Sequence, residues 1–119
     1  MKALALLLAV MFNLSVVAQA PSYTKVNAST VKVTWYHENG QVKETGYFTN
    51  GLQDGLWLQY NESGAKVSEA SFIKGVKDGN WSVWNDQGHL TYHMVYEDGK
   101  RIMTTQWDDS GNLIAGIQE

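Results

Sequence analysis

The chain contains no cysteine and only 1 proline among its 119 residues. Without cysteine it forms no disulfide, no thiolate nucleophile and no cysteine-ligated metal site, and it has no amino-terminal cysteine for a lipid anchor. The scarcity of proline, together with 11 glycines and an aromatic content of 12%, is typical of many short strands joined by tight turns.

The chain also lacks a surplus of positive charge. Its 9 Lys and Arg residues against 12 Asp and Glu give a net charge of −3. A protein that binds nucleic acid usually neutralises phosphates with a basic surface, so we expect no nucleic acid partner. The contents of hydrophobic (44%) and charged (18%) residues are those of an ordinary globular domain rather than of a disordered chain.

An apolar run near the amino terminus predicts a secretory signal peptide over residues 1–18. A lysine at the second position is followed by an apolar run over residues 3–14 and then by small residues, which is the order of regions in such signals. The run is shorter than the roughly 20 apolar residues that a spanning helix needs. Cleavage after Ala18 or after Ala20 fits the pattern, and we favour Gln19 as the mature start, in a periplasmic or extracellular location.

Residues 19–30 are polar and show no sustained period. Clusters of Ser, Thr, Asn and Pro next to patterned segments are typical of loops, and terminal segments are often loosely attached. We therefore interpret residues 19–30 as a linker or a loosely attached first edge, followed by a repeat domain over residues 31–119.

An internal repeat of 24 residues organises that domain. The segment Gly51-Leu-Gln-Asp-Gly-Leu-Trp57 returns as Gly75-Val-Lys-Asp-Gly-Asn-Trp81, with glycines, aspartate and tryptophan displaced by the same interval. Because glycine adopts positive φ without a steric clash, Asp-Gly ahead of an aromatic residue predicts a turn leading into a strand. We therefore expect Gly55 and Gly79 at turns. The glycines that mark the repeat are Gly40, Gly51, Gly55, Gly64, Gly75, Gly79, Gly88 and Gly99.

The glycine spacing predicts an all-β fold. Two turns in each unit leave room for two strands of about 5–7 residues, so each repeat is a β-hairpin. The first hairpin pairs residues 31–36 with residues 42–48 across a turn at 37–40. Chained hairpins give an antiparallel meander of about eight strands in a single twisted sheet, ending with a strand at 112–117.

No motif in the chain indicates catalysis, a cofactor or a metal. Gly-x-Ser-x-Gly, the Walker loop and Gly-x-Gly-x-x-Gly are all absent. On a strand, His89 and His93 would lie about 13 Å apart, too far to share one metal. The acidic turns around Asp98 and Asp108 lack the residue order of a calcium loop. We therefore expect no catalytic residue, no cofactor and no metal site.

Aromatic residues recur with the same period and are the remaining candidates for function. Two columns are expected to pack across neighbouring strands: Tyr36, Tyr60 and Trp84, and Phe48, Phe72 and Tyr96. In a single-layer sheet one aromatic face stays partly exposed, and it is a candidate contact surface for protein, glycan or lipid. Trp and Tyr dominate binding hot spots. The candidate partner-binding residues are Tyr36, Trp57, Tyr60, Trp81 and Trp84.

The repeated phrase consists of an aromatic residue, three residues, a glycine, a strand ending in Phe or Tyr, and Gly-x-x-Asp-Gly-x-Trp. It resembles the MORN-repeat variant of small bacterial proteins, over about residues 33–111. The residues that carry the resemblance are Tyr36, Gly40, Phe48, Gly51, Asp54, Gly55, Trp57, Tyr60, Gly64, Phe72, Gly75, Asp78, Gly79 and Trp81. The resemblance implies a platform for protein contacts, with binding to a lipid surface also proposed for such repeats.

The leading interpretation is a non-enzymatic exported repeat protein, an interaction module for an unidentified protein or cell-envelope partner. Many similar bacterial proteins are labelled antitoxins of toxin–antitoxin systems. The predicted secretory signal argues against this alternative, because such an antitoxin would be cytoplasmic. Some carry the label of a nicotinic acid mononucleotide adenylyltransferase, whose phosphate-binding His-x-Gly-His is missing from this sequence.

Overall fold

The computed structural model describes residues 19–119 and shows a single open antiparallel sheet. Its ten strands are β1 (Ser22–Lys25), β2 (Thr30–Tyr36), β3 (Val42–Thr49), β4 (Leu52–Tyr60), β5 (Lys66–Ile73), β6 (Val76–Lys77), β7 (Gly79–Trp84), β8 (Leu90–Glu97), β9 (Lys100–Trp107) and β10 (Leu113–Gln118). Along the main path of the sheet, hydrogen-bonded neighbours follow one another in the order of the sequence. The two-residue β6 lies off this path and pairs with β5. The predicted all-β meander is therefore confirmed. The predicted signal peptide lies outside the described residues.

Two features raise the number of strands above the predicted eight. Within residues 19–30, Ser22–Lys25 forms β1 and pairs with β2, so that Tyr23 lies opposite Val33. In the second repeat, the counterpart of β4 is divided into β6 and β7 at Asp78, whose backbone N–H donates to the Ser71 carbonyl (3.1 Å). Among residues 19–119 no helix has the length and apolarity needed to cross a membrane.

Two-residue turns connect the strands at one end of the sheet, which we call the short-turn end. They lie at Asn50 and Gly51, at Lys74 and Gly75, and at Asp98 and Gly99, and both residues of each turn have positive φ. This is the geometry of a type I′ turn, whose twist matches that of the two strands it joins. Asn and Asp tolerate this conformation better than other non-glycine residues, which accounts for the first residue in two of the three turns.

All eight glycines that mark the repeat have positive φ, between 73° and 88°. Gly55, however, lies inside β4 rather than at a turn, and Gly79 is the first residue of β7. Beside Gly55 the pairing of β3 with β4 shifts register between Thr45 and Tyr47. The expectation of a turn at Gly55 was wrong because a positive φ also serves a β-bulge, where the strand continues beyond the irregularity.

The repeated aspartate stabilises the short turn of the next repeat. The backbone N–H of Lys74 donates to Asp54 Oδ1 (3.3 Å), and the backbone N–H of Asp98 donates to Asp78 Oδ1 (3.2 Å). The neighbouring Gly75 N–H donates to the Gln53 carbonyl (2.7 Å). The aspartate of Gly-x-x-Asp-Gly therefore links successive repeats.

Five-residue turns at 37–41, 61–65, 85–89 and 108–112 connect the strands at the other end, which we call the long-turn end. In the second of them, Asn61 N–H donates to the Ala65 carbonyl (2.9 Å), and Asn61 Oδ1 accepts from the N–H groups of Ser63 and Ala65. Asn85 and Asp108 open their turns in the same way. The first turn begins instead with a histidine.

The stability of the last long turn is expected to depend on pH through Asp108. Hydrogen bonds from the backbone and side chain of Asn112 lower the Asp108 pKa below its ordinary value of 3.8. Since the folded pKa is the lower one, the carboxylate stabilises the fold above the unfolded pKa, and this contribution is lost as pH falls through the folded pKa. Asp108→Asn places at this turn the residue type that opens the turns at Asn61 and Asn85. The thermal midpoint of the variant should fall less than that of wild type as pH is lowered from about 6 to about 3. An equal fall in both proteins would contradict this role of Asp108.

Candidate interaction face

Six aromatic rings form a continuous ladder on one face of the sheet, which we call the ladder face. The ring centroids are separated by 5.7 Å (Trp35–Trp57), 5.1 Å (Phe48–Trp57), 6.1 Å (Trp57–Phe72), 5.2 Å (Phe72–Trp81) and 5.2 Å (Trp81–Tyr96). The rings meet edge-on or tilted, the arrangement that aromatic pairs prefer. The ladder runs from β2 to β8.

The expectation that Phe48, Phe72 and Tyr96 pack directly on one another was wrong. One repeat contributes two strands, so residues 24 positions apart lie two strands apart, at about 10 Å. Trp57 and Trp81, from the strands in between, fill the gaps. From Phe48 to Tyr96 the ladder therefore alternates a smaller ring with a tryptophan, and Trp35 adds a second tryptophan beside Trp57.

Trp57 is the centre of the only well-buried region among the described residues. The buried hydrophobic residues are Val33, Trp57 and Ala70, with Trp57 only 5% exposed. The Trp57 indole lies directly on the backbone of Gly46, where an added Cβ would fall 2.2 Å from indole Cδ2. Ala70 is its partner on the neighbouring strand. The small residues Gly46 and Ala70 thus make room for the largest side chain of the core.

The equivalent tryptophan of the next repeat has different surroundings. Trp81 is half-buried, and its Nε1–H donates to the Ser71 carbonyl (3.1 Å). Trp57 Nε1 is buried and has no hydrogen-bond partner. Lys77 Nζ lies 4.9 Å from the centroid of Trp81 and 5.2 Å from that of Tyr96. A cation therefore covers the last two rings of the ladder.

The five aromatic residues singled out from the sequence do not share one surface. Trp57 and Trp81 lie on the ladder face, and Trp57 is too deeply buried to offer much area to a partner. Tyr36, Tyr60 and Trp84 lie on the opposite face, near the long-turn end. Successive strand residues point to opposite faces, and Tyr60 and Trp84 each follow a ladder tryptophan by an odd number of positions.

Two of the aromatic residues on the opposite face, Tyr36 and Trp84, already have polar partners. Lys66 Nζ lies 4.8 Å from the centroid of Trp84 and 3.4 Å from Glu69 Oε2. The Tyr36 hydroxyl is 2.8 Å from Ser22 Oγ. The opposite face is therefore a surface of local polar contacts rather than a continuous apolar one.

Sequence reasoning missed Trp35, the first ring of the ladder. The signal that could have found it is the alternation of Val31, Val33 and Trp35 on β2, since Val31 pairs with Phe48 and Val33 pairs with Gly46. Residues two apart on a strand share a face. This alternation places Trp35 beside the buried residues of the core.

Two clefts open on the ladder face. The first has a volume of about 440 Å³ and is apolar, with Tyr23, Val31, Trp35 and Phe48 among its lining residues. The second, which we call the central cleft, has a volume of about 210 Å³. Its lining residues are Glu44, Gln53, Trp57, Gln59, Ser68, Ala70, Phe72 and Trp81. The central cleft is therefore the place on this face where polar and aromatic side chains meet.

The described residues bring no metal-binding group together. Within residues 19–119 there is no set of three His, Cys, Asp or Glu side chains placed to hold a metal ion. The ring nitrogens of His37, His89 and His93 bond to the Tyr60 carbonyl, the Asp109 carbonyl and Asn80 Oδ1, respectively. The histidines therefore hold separate parts of the sheet.

Comparison with known proteins relates two segments of the chain to one repeat family. The family model described as MORN repeat variant matches residues 30–50 and residues 53–74. No curated protein matches the chain. A solved structure described as "Crystal structure of GtfA/B complex" is similar over 86% of this chain, with 14% identity and a TM-score of 0.45, and this chain spans 22% of that chain.

Each matched segment covers two strands and the five-residue turn between them. The first includes β2 and β3, and the second contains most of β4 and all of β5. Each match therefore corresponds to one hairpin closed at the long-turn end. The model of the MORN repeat variant thus matches two successive hairpins of this chain, at residues 30–50 and 53–74.

Proposed function

We propose that this protein is a non-enzymatic interaction module whose ladder face binds a protein or a cell-envelope component. MORN repeats are generally interaction modules, and their family is non-enzymatic in general. The observation that carries the proposal is the ladder of six rings, over which no second layer of the described chain packs.

The exposure of the ladder supports this proposal. A β-sheet normally buries its apolar face against another layer. Here Trp57 is buried, but the other five rings are only half-buried. Contiguous apolar surface of this kind marks interaction sites, and aromatic side chains supply large contact area with few rotamers to immobilise. Trp35 and Trp81 are the candidate anchors because they are the two tryptophans of the ladder that keep part of their surface in water. A partner at Trp81 would also meet Lys77, whose Nζ lies 4.9 Å from the ring centroid.

We also propose that the protein is exported. The support is the order of regions in residues 1–18, a lysine followed by an apolar run and small residues, which is the order found in secretory signals. An exported module would meet its partner in the periplasm or outside the cell. The processed chain, beginning at Gln19, should then be found with that partner.

A pull-down from envelope extract tests the proposal. The bait is the tagged protein as wild type, as a ladder variant (Trp35→Ala/Trp81→Ala) and as an opposite-face control (Tyr36→Ala/Trp84→Ala). Circular dichroism and thermal midpoints first establish that both variants are folded. We expect wild type and control to capture the same partner in similar amounts. The ladder variant should capture at least about tenfold less of it, since exposed aromatic anchors dominate binding hot spots.

Capture that survives in the folded ladder variant would refute the ladder face as the binding surface. Loss in the control alone would assign binding to Tyr36 and Trp84. Recovery of the full-length chain in the cytoplasm would contradict export and favour the antitoxin alternative.

A further inference from the structure

We propose that the central cleft binds one sugar ring of a neutral glycan. This inference rests on the proposed function and names the class of partner that the ladder face takes. It follows from the shape of the cleft, from its unpaired polar side chains and from its charge.

Aromatic rings and a small residue shape the cleft. Ala70 lines it together with Trp57 and Trp81, and its single methyl group leaves space among the larger side chains. The Phe72 ring closes the cleft on the side of the short-turn end, 6.1 Å from Trp57 and 5.2 Å from Trp81. The resulting volume of about 210 Å³ suits a single sugar ring lying against aromatic surface.

A row of polar side chains borders the cleft toward the long-turn end. Glu44 pairs with Gln59, and Gln59 pairs with Ser68, so the three residues lie side by side on β3, β4 and β5. Directly opposed residues on antiparallel strands are about 5 Å apart. Within the described part of the chain, none of these three side chains is engaged in a hydrogen bond to protein. The row therefore offers free donors and acceptors beside an aromatic surface.

A sugar ring complements both parts of this site. Its C–H face packs on aromatic rings, while its hydroxyl groups donate and accept hydrogen bonds at the ring edge. The Gln59 amide both donates and accepts, the Glu44 carboxylate accepts, and the Ser68 hydroxyl does either. An acyl chain would leave these groups unpaired, which costs free energy when they are removed from water.

The topology disfavours an added peptide strand at this place. Such peptides pair with the free edge of a sheet. The cleft lies on β3, β4, β5 and β7, each of which already has a neighbour on both sides. A ligand in the cleft must therefore be recognised by side chains alone.

The charge of the lining favours a neutral ligand. Glu44 is the only ionisable residue that lines the cleft, so a phosphate or an acidic sugar would face a carboxylate without a cation in the lining. Lys77 lies over the Trp81 and Tyr96 rings and is not one of the lining residues. Complementary charge governs which partners a surface admits, and here it disfavours anions.

Isothermal titration calorimetry with three neutral hexasaccharides tests the inference: cellohexaose, maltohexaose and the hexamer of N-acetylglucosamine. We expect at least one of them to bind. Trp81→Ala should weaken that binding by about tenfold or more, because it removes a stacking surface, and Gln59→Ala by about fivefold, because it removes hydrogen bonds. Trp84→Ala, on the opposite face, should leave the affinity unchanged.

Gln59 is exposed, so its replacement keeps the inference testable even if Trp81→Ala unfolds. Failure of all three hexasaccharides to bind folded wild type would overturn the inference, as would binding that is unchanged in Gln59→Ala. If no sugar binds while the ladder variant still loses a captured protein, the glycan inference fails and the proposed function stands. If no sugar binds and the folded ladder variant captures as much partner as wild type does, both the glycan inference and the proposed function fail.

Discussion

Replacing Trp57 with alanine should cost about 3–5 kcal/mol of unfolding free energy, the range for a fully buried tryptophan. Trp57 contacts three other rings of the ladder and is 5% exposed. Only Val33 and Ala70 are comparably buried hydrophobic residues within the described chain. Because domains are stable by only about 5–15 kcal/mol, Trp57→Ala should bring the sheet close to unfolding. Urea titration followed by circular dichroism measures the loss.

Trp81→Ala is the matched control for this prediction. Trp81 occupies the same repeat position, 24 residues later, and contacts two rings of the ladder. It is half-buried and keeps part of its surface in water, so its removal creates a smaller cavity. Equal losses in the two variants would show that Trp57 is not the centre of the core.

Gly46→Ala should destabilise the sheet by about 1–3 kcal/mol or more, the usual cost of overpacking a core. The added Cβ would lie 2.2 Å from the Trp57 indole, and neither the ring nor the strand backbone yields easily in a packed interior. Gly116→Ala is the control, because Gly116 lies in β10 with nothing within 4 Å of the added atom. Its effect should stay within about 0.5 kcal/mol.

A double-mutant cycle tests the cause of the Gly46 effect. If the clash with the indole is responsible, Gly46→Ala should cost much less in a Trp57→Leu background than in wild type. The coupling between residues in direct contact is typically about 0.5–3 kcal/mol. Strict additivity of the two substitutions would mean that Gly46 is required for its backbone conformation and not for its contact with Trp57.

The architecture could be predicted because turn chemistry is local. Gly40, Gly64 and Gly88 have positive φ, and each closes a turn through a hydrogen bond from its N–H to a carbonyl three residues earlier. Such conformations depend on the glycine itself and on its nearest neighbours. The period of these glycines therefore predicted chained hairpins and a single sheet.

The candidate contact residues could not be predicted in the same way, because the face of a side chain depends on alternation and on bulges. Trp57 and Tyr60 fall in one repeat but on opposite faces, and the register shift between β3 and β4 decides which residue lies beneath Trp57. Gly46 and Ala70 occupy one repeat position. Only Gly46 lacks the Cβ that would hold an indole away from the backbone, so equivalent tryptophans differ in burial.

The chain-order pairing of the strands has a consequence for folding kinetics. Every connection along the main path of the sheet, from β1 to β10, is two to five residues long, so little loop-closure entropy opposes the pairing of any two neighbours. Such a topology has low relative contact order, and low contact order accompanies fast folding. Nucleation in any hairpin can propagate to both sides, as in other linear repeat arrays. We therefore expect this β-protein to fold at rates closer to those of helical bundles than to those of β-sandwiches.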